Sequence, residues 1–277
     1  MTPLLLIASI FAIALVAGFL GSLLGLGGGI IVVPALTLLF GIDIRLAIGA
    51  SIISVIATSS GAAAAYVKEH LANLRVAMFL EIGTTLGAIS GAYLAGIVNT
   101  RFLFILFGLL LAYSALAMLK KRHEGHATIL ISPIADRLRL HSTYYDEALG
   151  EHVDYRVTRP VTGLGLMYLA GAASGLLGIG SGALKVPAMD LAMRLPMKVS
   201  TATSNFMIGV TAAASAGLYF VRGEIDPVIA APVAAGVLAG ATVGSRFLGR
   251  IESRVIRVIF IVVLVVVSVQ MLVRGAL

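Results

Sequence analysis

Residues 18–119 return as residues 171–272 with no insertion or deletion, so the chain is one unit written twice. GFLGSLLGLGGGIIVVP, from Gly18 to Pro34, aligns on GAASGLLGIGSGALKVP, from Gly171 to Pro187, at an offset of 153 positions. The same offset carries Ser51 onto Ser204, Thr58 onto Thr211, Tyr66 onto Tyr219, and Gly83, Gly87 and Gly91 onto Gly236, Gly240 and Gly244. Apolar composition alone does not hold glycines in register over such a length. Doubled units with glycine-interrupted segments at matching places mark transporters, whose binding site is expected where the interruptions meet.

The unit belongs in lipid. The chain is 59% hydrophobic and 12% charged, with a mean hydropathy of +1.04, which excludes an ordinary soluble domain. Stretches 4–24, 46–67, 76–100 (broken only by Glu81), 102–119, 161–184, 199–221, 228–245 and 258–273 are free of charge. Each is close to the roughly 20 residues that a helix needs to cross the hydrocarbon core. Pieces 30–41 and 183–193, just after the glycine runs, are shorter and read as short or half-spanning helices. The first residues carry no basic segment, which predicts no cleaved signal peptide. Cysteine is absent, so no disulfide, thiolate metal site or cysteine nucleophile enters the reading. The net charge of +7 comes from residues at segment ends, where it sets orientation, and points away from nucleic acid.

Those basic residues test how the copies are related. If each half crosses the membrane an odd number of times, 15 Lys and Arg collect on one side and 4 on the other, with Lys185 inside a segment; parallel copies give 11 and 8. The excess of basic residues belongs to the cytoplasmic side. The expected fold is therefore an all-α integral membrane protein of two inverted five-segment repeats, residues 1–119 and 161–277, in the plasma membrane with both termini outside. Between them lies a polar insert, residues 120–160, expected in the cytoplasm. Within it RLRLHSTYYD and HVDYRV flank EALGE, a pattern for a β-hairpin turning at Gly150. A lone hairpin is marginal in water, so it is expected to pack on the membrane domain or on a second copy in a homodimer.

The chemistry points to the glycine runs, Gly25 to Gly29 and Gly178 to Gly182. A helix broken there exposes amides that lipid cannot satisfy, and the helix that follows starts with unpaired N–H groups able to hold an oxyanion. The alternative is that these glycines only permit tight turns or close packing. LLGxGxGxxxVP in two copies, with ATSNF (Ala202 to Phe206) after the second, resembles the sulfite exporter TauE/SafE family, also called the 4-toluene sulfonate uptake permease family, over nearly the whole chain. That resemblance implies a secondary carrier of sulfite, sulfoacetate or other organosulfonates. One departure is Ser181, which stands where the first copy has Gly28.

Candidate substrate ligands are Gly27, Gly28, Gly29, Ser51, Gly180, Ser181, Gly182, Lys185, Thr203, Ser204 and Asn205. Lys185 lies in an apolar segment opposite Val32 of the first copy, and an ammonium at depth needs a partner or a cavity. It reads as the counter-ion of an anionic substrate, as a structural partner of Asp190 or Glu81, or as a snorkelling side chain. Ser51, Thr58, Ser204 and Thr211 share helix faces and supply hydroxyls, to the substrate or to a neighbouring helix. Glu81, opposite Ala234, is the proton-coupling candidate or a neutralising partner. Asp190 and Arg194 read as a local pair, and the glycine triplets as packing faces. The HEGH histidines, His123 and His126, read as solvated loop, with no metal site and no cofactor expected. Neither a Walker A motif nor a hydrolase triad is present, so an enzyme is not expected. The leading expectation is a secondary anion transporter, in the direction of export, by alternating access. A passive anion channel of the same architecture and an accessory membrane subunit are the alternatives.

Overall fold

A computed structural model describes residues 3–119 and 132–276. The HEGH histidines lie outside the described residues. The first copy runs α1 (Pro3–Leu24), a glycine break, α2 (Gly29–Pro34) continuing as a π-helical turn (Ala35–Leu39), α3 (Ile44–Lys68), α4 (Leu74–Ala95) and α5 (Thr100–Leu119). A short α6 (Pro133–Arg137) and a hairpin of β1 (Ser142–Asp146) and β2 (Glu151–Tyr155) follow. The second copy repeats the first: α7 (Pro160–Leu177), α8 (Gly182–Pro187) with its π turn (Ala188–Ala192), α9 (Met197–Val221), α10 (Pro227–Gly244) with a 3-10 turn (Ser245–Arg250), and α11 (Ser253–Ala276). Among the described residues eight helices are long and apolar enough to cross a membrane, so the chain is an all-α membrane protein with one small hairpin.

Local chemistry sets the ends of these elements. The charge-free stretch 161–184 is not one helix, because Gly178 turns into the left-handed region at φ 64 and ends α7 at Leu177. Stretch 258–273 widens to α11, which takes in Arg254 and Arg257 in its first turns. Pro34 and Pro187 lack the N–H that would continue an α-helical ladder, and a wider π turn follows each of them.

The glycine triplets decide how the copies interlock. Gly236, Gly240 and Gly244 of α10 lie against the carbonyls of Phe11, Leu15 and Phe19 on α1, and Gly83, Gly87 and Gly91 of α4 lie against those of Leu164, Tyr168 and Ala172 on α7. These contacts are the same under the 153-residue offset, and both helix pairs run parallel. A methyl group at most of these glycines would overlap a backbone oxygen, which is why small residues stand there. Repeat-equivalent helices instead pair antiparallel. On α5 and α11, Ser268 Oγ donates to the Gly108 carbonyl and the Arg101 guanidinium reaches the carbonyls of Gly275 and Ala276. On α3 and α9, Ser59 meets Phe206 while Gly49 lies against Glu224 just beyond α9.

The hairpin is stapled to one end of the bundle. Its strands pair from Ser142 with Tyr155 to Asp146 with Glu151. Asn73, at the start of α4, donates through Nδ2 to the Leu140 carbonyl and the Tyr155 hydroxyl, while the Thr158 amide donates to the Met193 carbonyl. The strongest tie is ionic: Lys198 Nζ, near the start of α9, lies 2.7 Å from Asp146 Oδ1 with both side chains buried. Burial alone would raise the Asp146 carboxyl. The Lys198 ammonium, helped by the Leu149 amide and the Tyr144 hydroxyl, outweighs it and holds that carboxyl below its usual value.

Lys198→Met strands a buried carboxylate and is expected to cost about 3–5 kcal/mol in the melting curve of the purified protein, with much of the loss recovered by adding Asp146→Asn. Because the folded Asp146 is the stronger acid, its contribution is complete above the unfolded carboxyl pKa and is lost as pH falls through the lower, folded one. Acid should therefore narrow the gap between wild type and the double variant. A gap that stays constant on acidification contradicts this reading.

Candidate functional site

The two glycine breaks meet each other inside the bundle. Gly25, Gly27 and Gly28 have φ near +70, at 71, 75 and 71, and Gly178, Gly180 and Ser181 match them at 64, 72 and 59. Three left-handed residues in each loop turn the chain back so that α2 and α8 can start within the protein. Ser181 occupies a conformation that suits glycine, and its hydroxyl donates to the Gly180 carbonyl at 2.6 Å. Gly182 lies so close to the Gly25 carbonyl that a Cβ there would overlap it, and a Cβ on Gly29 would come within 3.0 Å of the Gly178 carbonyl.

Reciprocal hydrogen bonds hold the loops together. Ser51 Oγ on α3 donates to the Gly178 carbonyl at 2.6 Å, and its repeat equivalent, Ser204 on α9, donates to the Gly25 carbonyl at 2.8 Å. The Tyr66 hydroxyl donates to the Ser22 carbonyl at 2.8 Å, and Tyr219, its equivalent, donates to the Gly175 carbonyl at 2.6 Å. Each copy thus satisfies carbonyls released at the breaks, and the two serines do so across the repeat boundary. Thr58 adds a bond to the Gly27 carbonyl at 3.0 Å.

Two apolar side chains close the space between the loops. Val55 on α3 and Ile208 on α9, equivalent under the repeat, each touch the positions where both Gly27 and Gly180 would carry a Cβ. Sequence reasoning missed them, although Ser51, Val55 and Thr58, and likewise Ser204, Ile208 and Thr211, recur at the spacing of one helix face.

The polar groups, in contrast, break the symmetry. Lys185 is fully buried, and its Nζ donates to Thr211 Oγ1 at 2.6 Å. That hydroxyl donates onward to Glu81 Oε1 at 2.7 Å, and Glu81 Oε2 lies 3.8 Å from Nζ. The partner of Lys185 is therefore Glu81. Asp190 reaches Arg257 on α11 at 2.6 Å. The repeat-related positions are Val32 and Thr58 in the first copy and Ala234 in the second. Asn205 Nδ2 donates to the Ser22 carbonyl at 2.5 Å, while its Oδ1 and the Thr201 hydroxyl are buried without a hydrogen-bond partner among the described residues; the equivalents of Asn205 and Thr201 are Ile52 and Ile48. Thr203 is drawn elsewhere, accepting from the Asn73 amide at 3.0 Å beside the hairpin. Of the residues picked from sequence, Gly27, Gly28, Gly29, Ser51, Gly180, Ser181, Gly182 and Ser204 form the loop junction. Lys185 and Glu81 form an ionic cluster on α8, α9 and α4, and Asn205 lies against the end of α1.

The junction should tolerate no bulk. Gly182→Ala is expected to lower the melting temperature by the equivalent of about 1–3 kcal/mol, because the Gly25 backbone cannot yield without parting the loops. Gly217→Ala, with nothing within 4 Å, serves as the neutral control. Ser51→Ala and Ser204→Ala should each cost about 1 kcal/mol and by similar amounts, since they make equivalent bonds. A large loss from one and none from the other contradicts the reciprocal arrangement.

Comparison with known proteins places this geometry. The family model described as Sulfite exporter TauE/SafE matches residues 10–271. The probable membrane transporter protein YunE of Bacillus subtilis is 30% identical over 226 residues, covering 77% of this chain and 78% of that protein. A probable membrane transporter protein of Methanocaldococcus jannaschii is 28% identical over 214 residues, covering 75% of this chain and 70% of that protein. No solved structure matches this chain. A doubled apolar chain whose broken helices meet at paired glycine loops, matched by one family model across both copies and the hairpin between them, is a member of the sulfite exporter TauE/SafE family of membrane transporters.

Proposed function

We propose that this protein carries small sulfur-containing anions, sulfite, sulfoacetate or a related organosulfonate, across the plasma membrane, in the direction of export. The observation that carries the reading is Lys185, an ammonium fully buried one turn after a glycine break. An ammonium has three protons to donate, and the described residues give this one two partners, Thr211 and Glu81, so it can take a further acceptor. Burying a cation at this depth costs several kcal/mol, and the first copy folds the same way with Val32 in its place. The description of the family as sulfite exporters supports the substrate class and the direction.

Alternating access is the mechanism that fits. The antiparallel pairing of α5 with α11 and of α3 with α9 supports copies inverted in the membrane. Inversion puts the hairpin, together with Lys68, Arg194, Lys198 and Arg250, on the cytoplasmic side and the termini outside. With Val55 and Ile208 packed between the loops, passage requires one helix set, α1, α3 and α10, to shift against the other, α4, α7 and α9. A rearrangement of that kind for each anion moved is a carrier cycle.

Counterflow tests it. Purified protein in liposomes preloaded with unlabelled sulfite should accelerate uptake of external labelled sulfite, and Lys185→Met should remove that acceleration while the protein still folds. Fast flux with no trans-stimulation would make it a passive anion channel, and no flux from the purified chain would favour an accessory subunit.

A further inference from the structure

The Glu81 carboxylate already sits where a substrate anion would be expected. It faces Lys185 through Thr211, its Oε1 also accepts from Thr85 Oγ1 at 3.3 Å, and its Oε2 is buried with no hydrogen-bond partner among the described residues. Among the described residues, Oε2 is therefore held by the charge of Lys185 at 3.8 Å alone. The fold does not require this pair. The repeat-related junction is built from Val32 and Thr58 of the first copy and Ala234 of the second, and no ionic group stands at those positions.

Resting on Lys185 as the counter-ion, we propose that Glu81 is an internal stand-in for the transported anion and takes up one proton when an anion binds, so that one proton travels with each anion. In the empty site the ammonium and the carboxylate balance. An anion arriving at Lys185 would leave two negative groups facing one cation in an apolar setting, where uncompensated charge is costly. Protonation at Oε2, with the proton drawn from water on the loading side, restores the balance and keeps the Thr211 and Thr85 bonds to Oε1. On unloading, the anion leaves Lys185, the proton leaves Oε2 to water on that side, and the ion pair re-forms.

Among the described residues the surroundings offer Glu81 no competing titratable partner. Lys185 faces Glu81 from α8 and Thr211 faces it from α9. On α7, Tyr168 lies against Gly83 and Gly87 and turns its hydroxyl to Ser90, further along α4. Arg75, at the start of α4, points away to the Arg139 carbonyl. For a monoanion the loaded site is neutral and its movement is electroneutral. For a dianion such as sulfite, one net negative charge still crosses, so an inside-negative potential drives it outward.

The test is titration calorimetry of the whole purified protein with thiosulfate and with ethanesulfonate, whose own charges do not change near neutral pH, in buffers of different ionisation enthalpy. Wild type should take up close to one proton per anion bound, with affinity rising about tenfold for each unit of acidification at pH values where Glu81 is ionised in the empty site. Glu81→Gln should bind with affinity equal to or tighter than wild type at acid pH, with no proton uptake and no pH dependence. Binding by wild type without proton uptake, or uptake that persists in Glu81→Gln, overturns the proton coupling and leaves the carrier reading intact. Failure of sulfite, thiosulfate and ethanesulfonate alike to bind wild type overturns both. Melting curves accompany each titration, and should Glu81→Gln not fold, the proton count of wild type decides alone.

Discussion

Lipid supplies no hydrogen bonds to a broken helix, and that constraint shapes the rest of the structure. Two helices, α1 and α7, stop within the protein and release carbonyls that must be met by other groups of the chain. The solution is exchange: Ser51 bonds Gly178, Ser204 bonds Gly25, and Tyr66 and Tyr219 close the helix ends. For the serines to reach, the loops must touch, and for the loops to touch, α1 must lie along α10 and α7 along α4 with almost no side chain between them. The glycine triplets provide that closeness. Left-handed residues, paired serines and GxxxGxxxG faces are thus parts of one arrangement.

Upon this symmetric frame sits an asymmetric site. Lys185, Thr201 and Asn205 of the second copy face Val32, Ile48 and Ile52 in the first, and Glu81 faces Ala234. The apolar counterparts show what the frame needs for folding; Lys185, Thr201, Asn205 and Glu81 are costly polar groups beyond that need, and these are where function is to be sought. The hairpin adds a further asymmetry. It ties the start of α4, from one copy, to the start of α9, from the other, through Asn73, Thr203 and the buried pair of Asp146 and Lys198.

Much of this was legible because the repeat is exact in length. Register alone located both breaks, both short helices and the packing triplets, since glycines at fixed spacing have a mechanical meaning whatever surrounds them. The choice between Glu81 and Asp190 as partner of Lys185 was not legible. Asp190 is nearer in sequence, but Arg257 arrives from α11 to claim it, a contact that depends on how distant helices pack. By position Lys198 is one of the basic residues at a segment end, yet it is buried against Asp146 of the hairpin; neither residue signals the other across the chain. Val55 and Ile208 carried no signal as apolar residues among many, and only the meeting of the loops gives them a role. Hydroxyls such as Thr203 are ambiguous for a similar reason, because a donor fit for an anion is equally fit for a backbone partner.

The proposed carrier cycle needs the two copies inverted in the membrane, and one labelling experiment reaches that directly. His70 and Gly223 occupy the same place in the repeat, in the turns after α3 and α9. The chain has no native cysteine, so a single cysteine at either position reports its own side of the membrane. With a thiol reagent that cannot cross the bilayer, His70→Cys in intact cells should stay unlabelled until the membrane is permeabilised, and Gly223→Cys should label at once. Labelling of both from the same face would make the copies parallel and would contradict the account.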